Sequence, residues 1–274
     1  FRVLVNSNGS FHPFGEKLPV AENGTYHRCL VAELHQDRFE DVILLGETAS
    51  HVFKFATNAT IAEATSFAGL GQVAATDGAL VDLDFTGKLD LLALGPGGTN
   101  LRSFRNLGSF FFQENTGKTG LPDVLQAARQ IVLDDWNNDD LPDVFLAREG
   151  LPPLLLSKTR GGPLTATNTP ADWPVGHVIA VGDVNNDLRT DLLVGAPGQV
   201  VVVLNGLPDH PTLSLGSGYS PAALKLVDYD NDGWLDLLVT GVKGLRAFRN
   251  RGVQGFKEVT RELGLERIGE DRIA

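Results

Sequence analysis

Apolar and polar positions come in alternating blocks along this chain. Five times a short Val/Leu-rich run follows directly on a cluster of acidic and amide side chains: Val42-Ile43-Leu44, Leu91-Leu92-Ala93, Val144-Phe145-Leu146, Leu192-Leu193-Val194 and Leu237-Leu238-Val239. Apolar runs of this length, bounded by turn residues, predict buried strands. After each comes a glycine-containing turn and one or two further β-like segments, such as Leu101–Arg105 with Ser109–Gln113, or Leu245–Arg249 with Gly255–Val259. That predicts roughly four short strands per unit. No unit carries a long pattern of helical period, which argues against helical repeats.

The acidic clusters are themselves in register. The clearest is Asp228-Tyr229-Asp230-Asn231-Asp232-Gly233-Trp234-Leu235-Asp236, with carboxylates at loop positions 1, 3, 5 and 9. The loops begin at residues 33, 82, 135, 183 and 228, a period of 45 to 53 residues. A fixed period in this range marks a solenoid, propeller or array, because no unit can bury its own apolar face without a neighbour. Four antiparallel strands per repeat make the blade of a β-propeller, in which radial repetition leaves only short, protected edges. The expected fold is therefore all-β: a single β-propeller domain over residues 1–274, with four-stranded antiparallel blades and Asp-rich calcium loops. Five to six blades are visible, either closing through shared ends or forming an arc of a larger propeller. Phe1–Phe11 resembles the outer half of a blade, and residues 269–274 the beginning of another.

The spacing has a chemical reason. Calcium is a hard cation that takes six to eight oxygens at about 2.3–2.6 Å. A tight loop can converge side chains from positions 1, 3 and 5 on one point, and position 9 closes the shell from the start of the next strand. The candidate ligands are Asp228, Asp230, Asp232 and Asp236; Asp183, Asn185, Asp187 and Asp191; Asp135, Asn137, Asp139 and Asp143; and Asp82, Asp84, Thr86 and Asp90. The alternative for any one loop is a solvated acidic turn, since Asp, Asn and Gly also cluster in ordinary turns. An EF-hand is rejected: it needs Glu at position 12, where Val239, Val194 and Leu146 stand, and it needs flanking helices.

These residues resemble a known family. The acidic loops followed by Asp-Leu-Leu-Val, above all the segment from Pro174 to Pro197, resemble FG-GAP repeats of the kind found in integrin α-chain propellers. The segments Phe104-Arg105-Asn106 and Phe248-Arg249-Asn250, each ahead of a Gly and a Phe, are closer to the related VCBS type of bacterial proteins. The resemblance covers nearly the whole chain. It implies that a backbone carbonyl at loop position 7 also binds the ion, here that of Trp234, Arg189 or Leu141. Three calcium ions are expected, in the last three loops; the loop at Asp82 is evenly balanced between a fourth site and a metal-free turn, and none is expected in the first, whose positions 1, 3 and 5 are Glu33, His35 and Asp37. Leu188 and Asp140 stand where the best copy has Gly233. Glycine takes positive φ without penalty, so strain or weaker binding is expected in those two loops.

Composition narrows the partners. The formal net charge of −11 disfavours nucleic acid and anionic membranes, which demand Lys/Arg clusters. No apolar run approaches the length of a membrane-spanning helix. The single cysteine, Cys29, cannot form an intrachain disulfide and is expected to be buried in a blade strand. Asn8, Asn23 and Asn58 begin glycosylation sequons. The six histidines form no catalytic motif, neither Gly-x-Ser-x-Gly nor His-Glu-x-x-His. Trp136 and Trp234 are expected to pack between blades, with sugar stacking as the alternative. The expected function is a non-enzymatic, calcium-binding recognition or adhesion module, extracellular, at the cell surface or in the periplasm, where calcium is abundant. Its ligand would be a protein or a carbohydrate. Two alternatives stand beside it: a polysaccharide-active enzyme of the lyase type with its site over the central channel, and a structural spacer in a longer protein.

Overall fold

Strands form where the apolar runs predict them and pair with their immediate neighbours. A computed structural model of the chain describes residues 3–14, 18, 20, 24–55, 60–167, 170, 172–208 and 210–266. A two-stranded sheet of β1 (Val3–Ser7) and β2 (Ser10–Phe14) comes first. Five four-stranded antiparallel meanders follow. They are β3 (Tyr26–Ala32), β4 (Asp41–Gly46), β5 (His51–Phe55) and β6 (Ile61–Glu63); then β7 (Asp77–Val81), β8 (Asp90–Leu94), β9 (Leu101–Asn106) and β10 (Phe112–Glu114). After these come β11 (Ala128–Asp134), β12 (Asp143–Arg148), β13 (Leu151–Ser157) and β14 (Thr165–Ala166). The fourth is β15 (Val178–Gly182), β16 (Asp191–Ala196), β17 (Gln199–Val203) and β18 (Thr212–Ser214), and the fifth β19 (Pro221–Val227), β20 (Asp236–Gly241), β21 (Gly244–Asn250) and β22 (Phe256–Glu258). Each sheet is the blade of a β-propeller. Residues 269–274, Asn23 and Asn58 lie outside the described residues.

The register explains where the acidic loops sit. In every blade the residue before the loop faces the loop's ninth residue across the first hairpin: Ala32↔Asp41, Val81↔Asp90, Asp134↔Asp143, Gly182↔Asp191 and Val227↔Asp236. The loop is thus the connection between first and second strands, and position 9 opens the second.

The apolar runs that follow the acidic loops form the second strands. Every residue of β8 and β16 is buried, which accounts for unbroken runs in place of alternation. The described residues divide into two compact units, Phe1–Gln126 and Ala127–Ala274. In the first, one core joins the β3–β6 and β7–β10 sheets through Ile43, Leu45, Val52, Leu91, Ala93 and Phe104. In the second, Phe145, Leu155, Ile179, Leu192 and Val194 link the third and fourth sheets, while Leu193, Val202, Leu237, Val239 and Tyr219 link the fourth and fifth. Each fully buried Leu, Ile or Val contributes about 1.5–3 kcal/mol. The buried Tyr219 hydroxyl donates to the carbonyls of Val239 (3.0 Å) and Gly244 (2.7 Å), and its ring leaves no room for a Cβ at Gly241.

Cys29 corrects the expectation of a buried thiol. Leu30 is the residue of β3 that turns into the core, so the strand's alternation puts Cys29 on the opposite, exposed side. Local desolvation still outweighs the neighbouring Arg28 and raises the thiol above its ordinary value.

Candidate metal centres

All five acidic loops share one backbone conformation. Positions 4 and 6 have positive φ in each: Gln36 and Arg38, Phe85 and Gly87, Asn138 and Asp140, Asn186 and Leu188, Asn231 and Gly233. Leu188 (φ 66°) and Asp140 (φ 63°) therefore adopt the turn that Gly233 (φ 86°) makes freely. The missing glycines do not change the loop; they load it with the cost of a left-handed side-chain residue.

Side chains hold this turn. The position-1 carboxylate accepts the N–H groups of positions 5 and 6: Asp228 from Asp232 (3.1 Å) and Gly233 (2.9 Å), Asp183 from Asp187 (3.1 Å) and Leu188 (2.8 Å). Asp135 does so from Asp139 and Asp140, and Asp82 from Thr86 and Gly87. The position-5 carboxylate accepts the position-7 N–H, Asp232 from Trp234, Asp187 from Arg189 and Asp139 from Leu141.

Position 9 is the buried anchor. Asp41, Asp90, Asp143, Asp191 and Asp236 are all at most 1% exposed. One oxygen of each accepts the position-2 N–H of its own loop, as in Val184 to Asp191 (3.0 Å) and Tyr229 to Asp236 (3.2 Å). The other accepts an N–H at the end of the third strand or just past it, from Phe55, Asn106, Lys158, Asn205 and Asn250 respectively. Burial pushes all five carboxyls up, Asp90 and Asp191 to about 6, and carboxylates of the same loop add to the rise. A dication among them would reverse that balance by favouring the charged form.

The donor sets fit a hard cation. One oxygen each of Asp228, Asp230 and Asp236 lie within 4.8 Å of one another, as do those of Asp82, Asp84 and Asp90. That separation is within twice a calcium–oxygen distance of about 2.4 Å, so one ion can bridge each set. In the loops from Asp135 and Asp183, position 3 is an amide, and Asn137 and Asn185 donate to Asp139 (3.1 Å) and Asp187 (3.0 Å). The first loop gathers Glu33, His35 and Asp37, a set with a nitrogen in it, and His35 stacks on Phe110 at 4.4 Å. Several Asp-rich groups of this chain can thus hold a metal ion.

Two sets of contacts escaped the sequence reading. Amides at the end of the third strand or just past it clamp one blade to the loop of the preceding one: Asn106 Nδ2 to the Leu34 carbonyl (3.2 Å), Asn205 to Trp136 (2.8 Å) and Asn250 to Val184 (2.7 Å). The other set is ionic. Arg249 pairs with Asp230 (2.7 Å) and Asp232 (2.9 Å), Arg105 with Asp84 (2.5 Å), and Lys54 with Asp37 (3.2 Å). The Phe-Arg-Asn segments carried both signals, but only the folded register shows what they touch. Trp136 packs edge-on against Phe145 and Trp173, and Trp234 lies against Gly252.

Loops, blades and register define the class, and comparison with known proteins supports it. Residues 183–239 match the FG-GAP-like repeat family. No curated protein sequence matches the chain. A solved lectin of Agrocybe aegerita, described by its specific recognition of non-reducing terminal N-acetylglucosamine, is similar in fold. Its TM-score is 0.61 at 18% identity, covering 85% of this chain and 65% of that one. BBS1N, solved in complex with ARL6DN and soaked with lead, gives a TM-score of 0.53 at 14% identity over 86% of this chain and 67% of that one. This chain therefore spans about two thirds of the length of each. The chain has the β-propeller fold, with an FG-GAP-like repeat at residues 183–239.

Proposed function

We propose that the chain is a calcium-stabilised recognition propeller, one domain over residues 1–274, that binds a partner without transforming it. The observation that carries this reading is the shared loop geometry: the same left-handed turns, with carboxylate oxygens of the Asp82 and Asp228 loops close enough for one ion each. The ligand sets are those expected from the sequence, with Asn137 and Asn185 supplying the amide oxygen at position 3 and the carbonyls of Leu141, Arg189 and Trp234 completing the shells. Calcium there neutralises clustered carboxylates and stabilises the folded loops, because it binds them and not the unfolded chain. Loops of this kind fill where calcium is near millimolar, which supports an extracellular, cell-surface or periplasmic setting.

For the partner, a carbohydrate is the first class to test, because a lectin shares this fold at low identity; a protein is the second. Among the described residues no helix is long and apolar enough to cross a membrane. The decisive experiment is thermal unfolding in chelator, in millimolar calcium and in millimolar magnesium, with a parallel calcium titration. A calcium-selective rise in melting temperature with saturable binding is expected. No shift and no binding would reduce the loops to acidic turns and sink the reading. A glycan array probed in calcium and in chelator then tests the carbohydrate assignment, with binding expected only in calcium.

A further inference from the structure

We propose that Lys54, Arg105 and Arg249 are tethered cations that fill the acidic loops they face, leaving the loops from Asp135 and Asp183 as those that draw calcium most strongly. This rests on the calcium reading above. The three basic residues occupy one register position. Each stands immediately before the residue whose N–H donates to the position-9 carboxylate: Phe55, Asn106 and Asn250. In the other two blades the donors are Lys158 and Asn205, so the corresponding residues are Ser157 and Leu204, neither of them charged.

The position has a reach. Arg249 places one guanidinium nitrogen 2.7 Å from Asp230 and 2.9 Å from Asp232, spanning positions 3 and 5 of its loop. Arg105 sits 2.5 Å from Asp84 at position 3, and Lys54 sits 3.2 Å from Asp37 at position 5 and against the His35 ring nitrogen. Asp230 and Asp84 belong to the two all-carboxylate groups whose oxygens converge. The all-carboxylate groups that converge are therefore ones that carry an internal counter-ion. Among the described residues no ion pair reaches Asp135, Asp139, Asp183 or Asp187. A cation entering the Asp228 loop must displace Arg249 or share the carboxylates with it, and the repulsion between the two charges acts over only a few ångströms.

The order of filling is thus set by the third strand and not by the acid count of the loop. The test is calorimetric calcium titration of the whole chain, with circular dichroism in chelator to establish that each variant is folded. Wild type is expected to show two tighter sites. Arg249→Gln is expected to tighten the Asp228 loop roughly tenfold, Arg249→Lys to leave it weak, and Leu204→Arg to weaken one of the two tight sites. Calcium binding to wild type with unchanged affinities in Arg249→Gln and Leu204→Arg would overturn the tethered-cation inference while leaving the calcium reading intact. Absence of calcium binding in wild type and in Arg249→Gln alike would overturn both.

Discussion

Asn138 reaches out of its own acidic loop into the next one, its Nδ2 donating to the Leu188 carbonyl at 2.7 Å. Asn186, at the same position one blade on, does the same to the Gly233 carbonyl at 3.1 Å. Position 4 of one loop thus fixes position 6 of its successor, and the loops of this unit form a chained series. Asn231 holds the same left-handed backbone in the last loop but makes no such bridge among the described residues. Asn138→Gly should therefore cost about 1 kcal/mol more than Asn231→Gly, measured by urea unfolding. Equal losses would mean the bridge contributes nothing.

Leu188 offers a gain of stability. Its side chain is 83% exposed and its φ is 66°, so the residue bears the left-handed cost with almost no burial in return. A non-glycine residue there costs about 1–2 kcal/mol, and glycine loses about 0.5–1 kcal/mol through chain entropy. Leu188→Gly should be stabilising by up to about 1 kcal/mol, readable as a shift of the denaturation midpoint at constant slope.

Asp187→Ala separates metal from structure. It removes one proposed ligand from one of the two loops that have no tethered cation. At tenfold calcium excess a lost site removes about 1.4 kcal/mol, roughly 3 °C in melting temperature for a chain of this size. The loss should be seen in calcium and be small in chelator. A loss of the same size in both conditions would assign Asp187 to the turn alone.

The buried position-9 carboxyls make metal-free stability depend on pH. Asp90 and Asp191 are raised to about 6, above their unfolded values, so the folded chain holds those protons more tightly than the unfolded one. Their contribution is fully present below about pH 4 and is lost as pH rises through 6. In chelator, melting temperature should therefore climb as pH falls from 7 to 5. A fall across that window would show that the N–H donors on these carboxylates outweigh their burial.

Asn250 tests the clamp between blades. Its amide is 2% exposed, donates to the Val184 and Leu235 carbonyls, and accepts from the Gly252 N–H at 3.1 Å. Asn250→Ala strands three buried or half-buried groups and should cost about 3 kcal/mol in equilibrium unfolding. A loss below about 1 kcal/mol would indicate that water takes over the amide's contacts.

The blades and loops were legible in the sequence because both are local. Alternating blocks of acids and apolar residues mark hairpins directly, and an aspartate recurs at position 9 of every loop, where its carboxylate is buried between two N–H donors. What stayed hidden is carried by contacts between repeats. Asn106 and Asn250 could be seen as recurring after Phe-Arg, yet their partners, Leu34 and Val184, stand 72 and 66 residues away. Arg249 was equally visible and equally mute until the strand register placed it over Asp230. The left-handed turns at Leu188 and Asp140 contradict local preference, and side-chain acceptors at position 1 enforce them. Cys29 failed for a simpler reason: one residue of offset in a strand exchanges inside for outside.

Because each position-9 carboxylate grips its own loop with one oxygen and the third strand with the other, the scaffold and its ion chemistry are separately heritable. Positions 1, 3 and 5 can be rewritten, as Glu33 and His35 already are, while the hairpin keeps its trace. The chain thus offers five addresses of identical shape at which charge, and with it the response to the surrounding medium, can be edited one at a time.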